Sequence, residues 1–147
     1  MGTRADFYVG KDPKTMEWLG SIAWDGYPDA GGLSEVFEDM PEEDYRARVK
    51  KLLAGRDDGT TPDQGWPWPW EDSRTTDFAY TWADTVVHVS GYGRAWVSVK
   101  KFLLLDDDAQ EEYMDGFKEA EFPNMKDVQN VDLGKRSGLV IVPVPKT

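Results

Sequence analysis

Five residues, Trp66-Pro67-Trp68-Pro69-Trp70, constrain this chain more than any others. Each proline fixes its own φ and holds the tryptophan before it out of the helical region. The segment is therefore neither a helix nor a central strand, and it reads as an extended, polyproline-like strip. It lies inside a long loop, Arg56 to Thr76, rich in Gly, Pro, Asp and Thr. A loop of that length must be held by something. In one reading it folds back and its indoles plug the edge of the core. In the other, Trp66, Trp68 and Trp70 form a stiff stacking surface for a carbohydrate or a peptide.

The rest of the chain supplies a core for such a loop to pack on. Arg4 to Gly10 alternates Ala5, Phe7 and Val9 against Asp6 and Tyr8, a strand pattern with one mostly apolar face. Lys11 to Lys14 is a turn. Glu17 to Trp24 reads as a second strand, with Trp18, Ile22 and Trp24 on one face, and the two pair most simply as a hairpin. Leu33, Val36, Phe37 and Met40 fall on one face of a short helix. Pro41 to Ala54 predicts a longer helix that buries Tyr45, Val49, Leu52 and Leu53. Acids fill its first turn, bases gather toward its end, and Gly55 stops it.

Beyond the loop, Asp77 to Phe102 predicts a meander of three strands. Phe78, Tyr80 and Trp82 alternate in the first, Val86 to Val89 form the second, and Ala95, Val97 and Val99 alternate in the third. Asp108 and Glu111 have capping-box spacing for a helix carrying Tyr113, Met114 and Phe117. Leu139 to Val142 reads as a short edge strand before Pro143 and Pro145. The expected fold is a single α+β domain, 1–147: an antiparallel sheet of five to six strands with two to three helices on one face.

Composition removes several functions. The chain of 147 residues has no cysteine and one histidine. Disulfides, thiolate metal sites, Cys nucleophiles and a multi-His metal site within one chain are excluded. The formal charge of -11 disfavours direct binding to nucleic acid or anionic lipid. No apolar run approaches a membrane span, and Met1 to Gly10 has no signal-peptide core, so no membrane contact is expected.

Two acidic clusters stand out. Glu35, Glu38, Asp39, Glu42, Glu43 and Asp44 occur without a base among them. Asp106, Asp107, Asp108, Glu111, Glu112, Asp115, Glu119 and Glu121 are accompanied only by Lys118. They read either as solvated helix faces or as a negative surface that docks on a basic partner and occupies a groove built for phosphates. Asp106 to Asp108 fails the calcium-loop spacing, so no metal is expected there.

His88 is the one residue with an unperturbed pKa near neutrality. It lies in an apolar strand run, where a structural role is commoner than a general base. Ser90 and Ser98 lack a nucleophile-elbow sequence. Gly91 to Arg94 reads as a hairpin turn rather than a phosphate loop. No catalytic residue and no cofactor are assigned.

Two stretches carry a resemblance. One runs from Met1-Gly2-Thr3-Arg4-Ala5-Asp6-Phe7-Tyr8-Val9-Gly10 to Glu17-Trp18-Leu19-Gly20-Ser21-Ile22-Ala23-Trp24-Asp25-Gly26-Tyr27-Pro28. The other is Trp66-Pro67-Trp68-Pro69-Trp70-Glu71-Asp72-Ser73 with Thr75-Thr76-Asp77. Together they resemble small uncharacterised proteins encoded by bacteriophages and prophages of Gram-negative bacteria. The resemblance implies a phage accessory protein made in the bacterial cytoplasm, and no activity or catalytic residue comes with it. In that setting the expected function is non-enzymatic binding, through the acidic clusters, of a host or phage protein with a basic surface, including a nucleic-acid-binding or defence factor. The alternatives are a ligand-binding module using the Trp strip, a minor virion component, and an enzyme using His88 or a carboxylate pair.

Overall fold

The computed structural model describes residues 3–116, 119–123 and 125. The fold is α+β. Strands β1 (Ala5–Val9), β2 (Glu17–Ile22), β3 (Gly59–Thr60), β4 (Phe78–Ala83), β5 (Val86–Gly91) and β6 (Val97–Ser98) form one sheet in the order β3-β2-β1-β4-β5-β6. Helices α1 (Glu42–Ala54), α2 (Val99–Leu104) and α3 (Asp107–Met114) contribute Tyr45, Val49, Leu53, Val99, Phe102 and Tyr113 to one apolar cluster on one side of that sheet. A 3-10 turn, Gly31–Val36, adds Leu33 and Val36, and Phe37 and Met40 follow it into the same core.

The sheet is mixed, not purely antiparallel, because β1 and β4 run parallel at its centre. The β1–β2 hairpin forms as expected, with a bulge: Phe7 faces Gly20 and Tyr8 faces Trp18, which leaves Leu19 unpaired. An extra residue breaks the two-residue alternation. Trp18 and Ile22, expected on one face, therefore enter clusters on opposite faces. Trp24 lies beyond the strand and is 56% exposed.

Gly20 makes the bulge compatible with α1. Its φ is +140°, and an added Cβ would press into Leu53 Cδ1 and lie 2.6 Å from the Thr60 carbonyl oxygen. Gly20→Ala should destabilise the fold by about 2 kcal/mol through strain and overpacking. Equilibrium unfolding in denaturant measures this, and an unchanged midpoint would refute the close approach of α1.

Four further expectations need correction. The Arg56 to Thr76 loop contains β3 and two short 3-10 turns, Pro62–Gln64 and Ser73–Thr75. Val99 does not continue a strand: Ser98 Oγ accepts from Lys101 N at 3.1 Å and starts α2, in which Val99 and Phe102 are the buried pair. The cap of α3 is Asp106, which accepts from Ala109 N at 2.8 Å, rather than Asp108. In α1, Tyr45, Val49 and Leu53 are buried, whereas Leu52 is only partly so. Phe117 and the Leu139 to Val142 run lie outside the described residues.

The second face of the sheet is also covered. Tyr8, Met16, Trp18 and Ala79 pack there under Trp66 and Met125, with Trp68, Trp70, Trp96 and Phe122 around them. Every residue of β1 is consequently buried, including Asp6 and Tyr8.

Candidate functional site

The Trp strip lies on this second face. Trp66 is 3% exposed and meets Trp18 edge-on at 5.3 Å. Trp68 and Trp70 are half-buried and stack at 5.6 Å, with the Arg4 guanidinium 5.7 and 5.5 Å from their rings. All three indole N–H groups are used internally. Trp66 donates to the Trp70 carbonyl at 2.7 Å, Trp68 to Asp6 Oδ1 at 2.7 Å, and Trp70 to Thr76 Oγ1 at 2.9 Å. The strip thus forms a layer over the sheet and is tied to it by its polar edges.

Asp6 is the centre of that attachment. Its side chain is fully buried and accepts from Ser21 Oγ at 2.5 Å and Ser73 Oγ at 2.7 Å, as well as from Trp68. Trp18 Nε1 donates to Ser21 Oγ at 3.0 Å, and Tyr8 Oη shares a 2.6 Å hydrogen bond with Ser73 Oγ. Burial pushes the Asp6 carboxyl above its usual range, while hydrogen bonds from Ser21, Trp68, Ser73 and Thr76 pull it back. Burial, with the Asp6 charge beside it, raises the Tyr8 phenol as well. The sequence reading placed Asp6 on a polar strand face and missed this network. The one signal was an acid flanked by apolar residues in the same short strand as Tyr8.

The acids of the Glu35 to Asp44 cluster and those from Asp106 to Asp115 are on the helical side, whereas Glu119 and Glu121 lie beside Arg74 and Phe122. Asp106, Asp107, Asp108, Glu111, Glu112 and Asp115 are all exposed, and none is in an ion pair with another described residue. The earlier cluster is partly neutralised. Glu42 pairs with Arg46 at 2.7 Å, and Asp39 pairs with Lys100 of α2 at 3.3 Å. Glu35, Glu38, Glu43 and Asp44 are exposed. The Asp39–Lys100 pair joins the middle of that cluster to the helix that precedes α3.

Between α2, α3 and the Tyr27-Pro28-Asp29 turn lies an open groove of about 390 Å³. The sequence reading missed it, because its walls come from three distant segments.

The remaining chemical candidates lie in β5, in the turn that follows it and at the end of β6. His88 stands opposite Thr81 and Ser98, and its buried Nδ1 has no hydrogen-bond partner among the described residues. Ser90 Oγ donates to the Arg94 carbonyl at 2.5 Å. Gly91 to Arg94 forms a tight turn, with Tyr92 and Gly93 at φ 46° and 83°. Among the described residues no group of three or more His, Cys, Asp or Glu is placed to hold a metal ion, and no helix is long and apolar enough to cross a membrane. Comparisons with protein-family models, curated proteins and solved structures find no match to the chain.

Proposed function

We propose that this chain is a phage or prophage accessory protein that binds a host or phage protein through the acidic face of α3. One observation carries the reading: six exposed carboxylates, Asp106 to Asp115, have no compensating base among the described residues. Like charges held together raise the energy of the free surface. A basic partner relieves that repulsion and is steered toward the face as it approaches. A host factor that binds nucleic acid, including a defence factor, has a basic surface of the required kind. The phage context, and action in the cytoplasm of the bacterial host, rest on the resemblance of the Met1 to Pro28 and Trp66 to Asp77 stretches.

The test is an affinity capture from bacterial lysate at low and at raised salt. Exposed charges more than about 8 Å apart are screened at physiological ionic strength. Capture should weaken as salt rises, chiefly through a slower on-rate. A partner held equally at both salt concentrations would contradict electrostatic docking.

A further inference from the structure

The groove beside α3 gives the proposed partner a more specific chemistry. Its floor is apolar, built from Phe78, Phe102 and Met114. At its lip Leu103 is 42% and Tyr27 39% exposed. The next residue, Leu104, is 86% exposed. Large aliphatic side chains this open on a short helix mark a surface that gains by being covered. Three carboxylates line the same groove, Asp29, Asp107 and Glu111, and among the described residues no base does. Gln110 Nε2 donates to the Phe102 and Leu105 carbonyls at 3.3 and 3.2 Å, which fixes α3 against the end of α2. The groove is therefore formed before anything enters it, and little ordering cost falls on binding.

Resting on the acidic-face reading, we infer that this groove takes a protein segment in which a large apolar side chain is flanked by Lys or Arg. The apolar floor selects the anchor, and the rim selects its flanks. A neutral segment would desolvate Asp29, Asp107 and Glu111 without pairing them, and an acidic one would be repelled. A basic segment without an anchor would leave Phe78, Phe102 and Leu103 in contact with water.

The full chain can be titrated against three labelled peptides by fluorescence anisotropy: an amphipathic Leu/Lys peptide, the same peptide with Ser for Leu, and the same peptide with Gln for Lys. The Leu/Lys peptide should bind best. The Ser and Gln versions should each lose about tenfold or more, as should the exposed substitutions Leu103→Ser and Glu111→Gln against the Leu/Lys peptide. Equal binding of the Ser version, unaffected by Leu103→Ser, would overturn the groove and leave the acidic face standing. Equal binding of the Gln version, unaffected by Glu111→Gln, would overturn the cationic flanks. If neither basic peptide binds, both readings fail. Sedimentation of the chain alone adds one outcome: a dimer that Leu103→Ser dissociates would place a second copy in the groove and refute the proposal.

Discussion

Asp6→Ala is expected to destabilise the protein by on the order of 4 kcal/mol. The substitution removes the acceptor of three donors, Ser21 Oγ, Ser73 Oγ and Trp68 Nε1. A buried donor left without a partner costs about 1–3 kcal/mol, and the half-buried Trp68 recovers part of its share by turning toward water. Asp6→Asn should cost much less, since it keeps the shape and one acceptor oxygen. The pair of variants also fixes the pH dependence. Burial raises the Asp6 pKa above its ordinary value of 3.8, so the folded chain holds this proton more tightly than the unfolded one. The associated stabilisation is fully present below the unfolded pKa and is lost as pH rises through the folded pKa. Denaturant unfolding across that range should show wild type losing stability relative to Asp6→Asn as pH increases, then levelling. A constant difference would mean that the carboxyl does not titrate in this window.

Trp66→Ala should cost roughly 3–5 kcal/mol, the range for a buried aromatic lost from a core. Trp66 is almost wholly enclosed, packs on Trp18 and binds the strip to itself through the Trp70 carbonyl. Its removal uncovers the second face of the sheet. Trp68→Ala should cost less, since that ring is half-buried, though it also deprives Asp6 of a donor. Thermal unfolding separates the two readings of the strip. A melting temperature unchanged in Trp66→Ala would show that the indoles do not form a structural layer.

The elements legible in the sequence were those with a local period. Alternation in β1 and β4, the apolar run of β5, and the helical stripe of Tyr45, Val49 and Leu53 between Pro41 and Gly55 survive in the structure because local pattern and packing agree there. β3 has two residues and no pattern to read. The parallel β1·β4 pairing is set by contacts between distant segments, which no window contains, and the bulge at Leu19 leaves no mark in the alternation of β2 taken alone. Val99 fitted an alternating run, but the Ser98 cap turned the chain into α2. The same division holds at the candidate site. Acids close in sequence, from Asp106 to Asp115, are visible as a cluster, and only the structure shows that none of them is paired with a base among the described residues. The groove and the Asp6 network draw residues from across the fold, and for that reason neither was legible.

Docking through α3 is tested most directly by one variant. Asp107, Asp108, Glu111 and Glu112 are exposed, and changing all four to their amides leaves the Asp106 cap in place. The shape of α3 is retained and four negative charges are removed, so the variant should stay folded. Its affinity for the captured basic partner, measured at low salt where electrostatics count most, is expected to fall by about tenfold or more. A folded variant that binds with full affinity at low salt would contradict docking through α3.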